Sequence, residues 1–301
     1  MSRPDTDVPK ELRTARQERV ETTGLERDPA VERHDPSNII LHRGKYHFWF
    51  TEHEKFTSGF THGYIRRASS EDGLDWTLHE TCYASGEPGD WDEQTALTSY
   101  VVPHDGRFYM FYTGVPAELE DPQTDQRGIG YVVADSPEGP WRKELNEPVL
   151  WPGPEGSWDE LCCDDANIIF RDGRWWLYYK GRTVGDDPME SQIGVAFADA
   201  LEGPWRKHPG NPLFKGHALT AWVHRDGVAV MGGANQPDLL WSEDGLDFRP
   251  VVEFQNTSTG LYCPESFKTG VNRRGVEWGI DVDWSNRPRF LYRFNCNLLV
   301  E

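Results

Sequence analysis

An internal repeat constrains this chain more than any other feature. Its unit is an apolar strand, a short turn carrying glycine, then an aromatic strand. It runs from Asn38 through Ile39, Ile40 and Leu41 to Arg43-Gly44, then on to Tyr46, Phe48, Trp49 and Phe50. It returns from Tyr100 through Asp105-Gly106 to Tyr112, and from Asn167 through Asp172-Gly173 to Tyr179. A weaker copy spans Thr220 to Met231 about Asp226-Gly227, and a degenerate fifth runs from Glu265 through Gly275 to Val282. Each unit reads as a β-hairpin, because alternating or continuously apolar runs flank a dipeptide that tolerates left-handed backbone.

A second unit follows each of the first four. It is Ser70-Glu71-Asp72-Gly73, then Ser136-Pro137-Glu138-Gly139, Ala200-Leu201-Glu202-Gly203 and Ser242-Glu243-Asp244-Gly245, each just before a Trp or Phe. Strand-like segments precede these units, so one period holds four strands. The first-unit glycines at 44, 106, 173 and 227 lie 62, 67 and 54 residues apart. Four strands repeated five times predict an all-β chain, a five-bladed β-propeller over residues 34–301. Residues 1–33 read as an N-terminal extension. From Pro9 to Arg27 it is charged, with Leu12, Ala15, Val20 and Leu25 as its few apolar positions. It reads either as a short helix, on the outside or at a homodimer contact, or as a frayed tail.

Charge and cysteine usage exclude several partners. Fifty acidic against 31 basic residues give a net charge of −19, which repels nucleic acid where no basic patch relieves it. No run approaches 18 apolar residues, so no membrane helix is expected, and Met1-Ser2-Arg3-Pro4-Asp5 is unlike a signal peptide. Cys82, Cys162, Cys163, Cys263 and Cys296 have the spacing of neither a disulfide framework nor a zinc site. The expectation is a reducing, cytoplasmic compartment and a chain with no cofactor or metal centre of its own.

The first strand of each propeller blade lines the central channel, so its starting residue is informative. Nine residues before the turn glycine stand Asp35, Leu97, Asp164 and Ala218; the same count from Gly275 reaches Ser266, next to Glu265. Each aspartate alone is also a common turn or strand-start residue. At matched positions on two blades they point to the channel, where paired carboxylates suit glycoside cleavage: one activates water while another group protonates the leaving oxygen. His217, beside Ala218, and Glu265 are the candidates for that second group. His34 and Asp165, flanking the two aspartates, are candidate substrate contacts. Trp91-Asp92-Glu93 and Trp158-Asp159-Glu160 repeat with the blade and read as structural, although the face of Trp91 also suits a sugar ring, as do Tyr112 and Trp222. Gln94 and Thr95 do not repeat and point to the channel. Arg66, Lys180, Arg182 and Gln236 follow first or third strands and suit a carboxylate or sulfate, or the site's own acids.

Arg33-His34-Asp35-Pro36-Ser37 followed by Gly44-Lys45-Tyr46-His47-Phe48-Trp49-Phe50 resembles the first blade of the five-bladed glycoside hydrolases of the family 43, 32 and 117 type. Cys163-Asp164-Asp165, Tyr178-Tyr179-Lys180-Gly181, Gly216-His217 and Phe290-Leu291-Tyr292-Arg293-Phe294-Asn295-Cys296 are most similar to family 117, the α-1,3-(3,6-anhydro)-L-galactosidases. The resemblance implies that Asp35 is the general base, that Asp164 orients substrate and tunes pKa, and that His217 matches a histidine proposed as acid. It also permits a divalent cation in the channel. The family places a glutamate directly after that histidine, where this chain has Ala218. With Asp35 and Asp164 nearby, His217 is expected to have a raised pKa. The leading expectation is an exo-acting, inverting glycosidase that removes a terminal sugar from a short, anhydro- or acidic oligosaccharide. The alternatives are a carbohydrate-binding propeller that lost its acid at Ala218, and a lyase in which His217 takes a proton from a uronic acid.

Overall fold

The computed structural model describes residues 8–116, 126–233, 238–254 and 260–300. These form five antiparallel sheets, the blades of a propeller. In the first, Lys45–Glu54 pairs with Val31–His34 and Ile40–His42 on one side and with Tyr64–Ser70 on the other, and Thr77–Tyr83 lies outermost. The second blade runs Thr95–His104, Arg107–Val115, Gly128–Ala134 and Arg142–Lys143; the third runs Asp164–Arg171, Arg174–Gly181, Gln192–Ala198 and Arg206–Lys207. The fourth is Ala218–His224, Gly227–Gly233, Asp238–Ser242 and Arg249–Glu253.

The turn chemistry explains the first hairpins. His42 pairs with Lys45, His104 with Arg107 and Arg171 with Arg174, leaving two-residue loops. Arg43-Gly44, Asp105-Gly106 and Asp172-Gly173 all have positive φ at both positions, the geometry that suits the twist of a hairpin and that glycine adopts at least cost. The fourth blade differs. His224 pairs with Gly227, so its turn is Arg225-Asp226 and Gly227 begins the second strand. A side chain at Gly227 would meet the Trp241 ring, its Cβ lying 2.3 Å from that ring. The glycine there serves close packing, and counting from it misplaces the strand start by one residue. Counted from the turn itself, His217 rather than Ala218 stands level with Asp35, Leu97 and Asp164.

The fifth blade departs further. Its innermost strand is Gly260–Leu261, paired with Gly275–Val282, not a strand starting at Glu265. Leu291–Leu299 follows, and the outermost strand is Gln17–Val20 from the other end of the chain, with Gln17 opposite Cys296 and Val20 opposite Arg293. The boundary expected at residue 33 is therefore corrected: Gln17–Val20 is a propeller strand, and so is Val31–His34, which crosses that boundary. Among the described residues of this extension, helix is confined to Lys10–Arg13. Leu12 and Leu25 are fully buried against this same chain rather than left for a partner.

The core lies between blades. One cluster joins Phe48, Phe50 and Trp76 of the first blade to Trp278 and Ile280 of the fifth; another joins Trp49 and Ile65 to Val101, Met110 and Tyr112 of the second. Wedge-shaped gaps between radially splayed sheets need bulky rings, which accounts for an aromatic content of 13%. Two asparagines staple neighbouring first strands. Asn38 Nδ2 donates to Val101 O (2.7 Å), and Asn167 Nδ2 donates to Leu219 O (3.0 Å). These bonds satisfy polar backbone facing the narrow channel, which holds a cavity of about 30 Å³ lined by Asp35, Asn38, Thr98, Asp165, Asn167 and Thr220.

Candidate active site

The first strands start at one end of the channel, and the functional groups gather there. Asp35 follows the strand Val31–His34 with φ of 51°, and its Oδ2 accepts from His34 Nδ1 at 2.6 Å. The ring of His34 stands edge-on to that of His53, 5.3 Å away. Burial alone would raise the pKa of Asp35, but His34 and then Lys180 outweigh it and hold the carboxylate below its ordinary range.

Asp164 is locked. Thr113 Oγ1 donates to its Oδ1 (2.6 Å), Arg127 Nε to its Oδ2 (3.1 Å), and Lys180 Nζ lies 3.3 Å away. Burial opposes ionisation here too, yet Lys180 and Arg127 drive its pKa far down. Neighbouring strand residues normally point to opposite faces. Between Asp164 and Asn167 the register slips by a bulge, and Asp165 has φ of 55°. The bulge re-aims Asp165, so that one ammonium, Lys180 Nζ, also reaches its Oδ2 at 2.6 Å. Asp165 behaves differently from its neighbour. Burial, with Asp164 and Asp35 adding their repulsion, outweighs Lys180 and pushes its pKa up to about 7. Asp35 and Asp165 line the same small cavity from the first and third blades.

A chain of hydroxyls runs round the mouth. Thr98 N donates to Thr51 Oγ1 (3.0 Å), Thr98 Oγ1 to Thr113 Oγ1 (2.7 Å), and Thr113 in turn to Asp164. Thr98, Thr113 and Arg127 were not singled out from the sequence. A signal existed for Thr113: Tyr112-Thr113-Gly114 aligns with Tyr179-Lys180-Gly181, so Thr113 and Lys180 occupy one repeat position on adjacent blades. Arg127 carries no such mark.

His217 is partly buried, and its Nδ1 donates to Pro188 O at 2.7 Å. Its expected raised pKa is corrected: burial, then the charge of Lys180, outweigh Asp164 and Asp35 and push it down to about 4. The ring is neutral at pH 7, with its proton on Nδ1. Glu265 is corrected as well. Its turn, Pro264–Phe267, packs under the hairpin end of the channel, where Ser266 Oγ accepts from Val223 N and Asn272 pairs with Arg225. Glu265 itself pairs with Lys268 at 2.9 Å. It lies at the opposite end from Asp35.

Other expected contacts prove structural. Arg66 donates to Glu52 Oε1 (2.7 Å) and to His79 O (2.7 Å). Trp91 stacks on Tyr112, with ring centroids 5.9 Å apart, and covers Gly114 and Gly130, as Trp158 covers Gly181 and Gly194. The aspartates beside them hold tyrosines: Asp92 accepts from Tyr112 Oη (2.6 Å) and Asp159 from Tyr179 Oη (2.9 Å). Tyr112 and Trp222 are buried in the core. Gln94 Nε2 donates to Thr61 O (2.8 Å) and Thr95 Oγ1 to Gly63 O, so both hold the loop of the first blade against the second. Arg182 is buried, within electrostatic reach of Arg127 and Asp164. Gln236 lies outside the described residues. Among the described residues no group of three or more His, Cys, Asp or Glu is placed to hold a metal ion. The mouth acids do not fit one either, because Asp164 already accepts from Thr113 and Arg127, and Asp165 from Lys180. A larger cleft of about 710 Å³ opens on the outer rim beside Arg19, Glu26, Asp75 and Tyr292, and holds none of these acids.

A five-bladed propeller with acids at the strand-start end of its channel is the architecture expected of the glycoside hydrolases of the family 43, 32 and 117 type. Residues 27–159 match Glycosyl hydrolases family 43, a stretch that includes Asp35 and stops just short of Asp164. The particular likeness is to a solved family 117 glycoside hydrolase of the marine bacterium Zobellia galactanivorans. It is 26% identical with a TM-score of 0.84, over 95% of this chain and 91% of that one. Raffinose invertase of Escherichia coli is 31% identical over 162 residues, 53% of this chain and 32% of that protein. Sucrose-6-phosphate hydrolase of Bacillus subtilis is 27% identical over 136 residues, 41% of this chain and 27% of that protein. The matched stretch thus spans about a third or less of these curated relatives. Together the matches support a glycosidase.

Proposed function

We propose that the protein is an exo-acting, inverting glycoside hydrolase that removes a terminal sugar from a short oligosaccharide. The observation that carries this reading is the pair Asp35 and Asp165. They face one cavity from different blades, and their surroundings push their pKa values apart. Asp35 stays ionised and takes a proton from water as its oxygen attacks the anomeric carbon. Asp165 keeps its proton to the neutral range and gives it to the departing glycosidic oxygen. Asp164, fixed by Thr113 and Arg127, orients substrate and supplies the charge that keeps Asp165 protonated. His217, neutral, accepts from a sugar hydroxyl at Nε2. Five unbridged cysteines favour a cytoplasmic enzyme fed with imported short sugars.

A lyase remains the second reading, favoured by His217, whose neutral ring with Nδ1–H fixed is also a competent base. Product analysis separates the two. A panel of oligosaccharides is incubated with the protein in labelled water, and products are read by mass, ultraviolet absorbance and NMR. One labelled oxygen and an inverted anomer are expected. A new ultraviolet chromophore establishes the lyase, and a retained anomer overturns the single-displacement mechanism. Asp35→Asn is expected to lower turnover by about 10²–10⁴-fold with an unchanged melting curve; near-normal turnover removes Asp35 from its role.

A further inference from the structure

Asp283 to Phe290 joins the second and third strands of the fifth blade, and therefore opens at the same end of the channel as Asp35. Two bonds seat this loop on the strand that leads into the base. Arg33 N donates to Arg289 O (3.2 Å), and Arg289 N donates to Glu32 Oε2 (2.9 Å). The Arg289 guanidinium lies over the Trp284 ring, 4.5 Å from its centroid, and is close enough to Asp35 to feel its charge. Trp284 keeps 47% of its surface in solvent, and the Arg287 side chain keeps 69%.

The guanidinium groups here are loosely held. Glu32, almost fully buried, is the carboxylate that faces both guanidinium groups, at 3.5 Å from Arg287 and 3.9 Å from Arg289. The loop's own acid, Asp283, is occupied by Arg19 (3.0 Å), Ser285 and Asn286. Neither guanidinium is therefore tightly held by an acid, in a chain whose net charge is −19. Two of the cations expected from sequence to read an anion are committed elsewhere, Arg66 to Glu52 and Lys180 to Asp164 and Asp165.

We propose that Arg287, Arg289 and Trp284 form a subsite for an anionic sugar, one that bears a carboxylate or a sulfate beside the glycosidic bond presented to Asp35. A guanidinium fork matches the paired oxygens of either group, and an exposed indole suits the apolar face of a pyranose ring. The inference rests on the glycosidase reading for the position of the bond, but binding can be measured without turnover.

The test uses the full chain carrying Asp35→Asn, with and without Arg287→Gln and Arg289→Gln. Two matched probe pairs are titrated calorimetrically at low and high salt: tetragalacturonate with its carboxyl-reduced form, and a sulfated galactan tetrasaccharide with its desulfated form. The acidic member of at least one pair is expected to bind more tightly. Its preference should fall about tenfold on loss of either arginine and shrink in high salt. The pair that shows the preference identifies the anion as carboxylate or sulfate. Arg287→Gln, at an exposed side chain, keeps the test decisive if Arg289→Gln does not fold. Equal binding of both members of both pairs, or a preference that survives both substitutions, overturns the subsite. A preference for acidic probes that the wild-type chain never cleaves leaves the subsite standing and overturns the hydrolase.

Discussion

The bulge that follows Asp164 gives two adjacent aspartates at the channel mouth different partners. Asp164 accepts from Thr113 and Arg127 and stays ionised; Asp165, turned by a left-handed backbone, shares only Lys180 against two neighbouring acids. The sign of each shift sets the pH dependence. Activity needs Asp35 without its proton, so the acidic limb of kcat/KM lies below the usual carboxylate range. It needs Asp165 with its proton, so the alkaline limb falls near pH 7. Asp165→Asn is expected to remove that limb and most turnover, and a substrate with a good leaving group should recover part of the rate. His217→Gln should leave the limb in place. A limb that moves with His217 instead makes the histidine the acid.

At the scale of elements, the short helix Lys10–Arg13 acts as a clip. Its Glu11, 3% exposed, accepts from Nε2 of His224 (2.8 Å), the last residue of the fourth blade's first strand, and from Nε and Nη2 of Arg225 (2.8 and 2.9 Å), the first residue of its turn. Burial opposes the charge, but Arg225 and His224 prevail and bring the Glu11 pKa down to about 2. A depressed carboxylate stabilises the fold fully above its unfolded value of 4.5, and that contribution is lost as pH falls towards 2. Glu11→Gln should therefore cost about 3–5 kcal/mol at pH 7, as a broken buried pair does. The gap from wild type in urea unfolding should narrow between pH 5 and pH 3. A gap independent of pH would mean that the ionised carboxylate contributes nothing. This clip was invisible in the sequence because its partners lie more than two hundred residues apart. The hairpins were legible for the opposite reason: Arg43-Gly44, Asp105-Gly106 and Asp172-Gly173 are local turn signals. Where local chemistry misled, as at Gly227 and Gly275, the glycine answered to a neighbouring ring or strand rather than to a turn.

For the whole molecule, repetition made the five blades readable and placed Asp35 and Asp164 at one end of the channel. It did not reveal which strand completes the ring, since Gln17–Val20 carries no copy of the repeat and gains its strand form only from Leu291–Leu299. Removing residues 8–21 deletes that strand together with buried Leu12, whose loss alone is worth about 2–5 kcal/mol. The melting temperature is expected to fall by at least about 10 °C, measured by calorimetry. A truncated chain that melts with wild type would show that the seam adds no stability.

That seam also has an order in time. Gln17–Val20 leaves the ribosome long before its strand partner, Leu291–Leu299. Four blades can form hairpin by hairpin as they emerge, each from contacts close in sequence. The earlier strand must meanwhile stay unpaired, an exposed edge, until Leu291–Leu299 arrives to receive it. Closing the ring is thus a late event of biogenesis, and the acids of the mouth are brought within reach of one another by blades that assemble well before the circle is sealed.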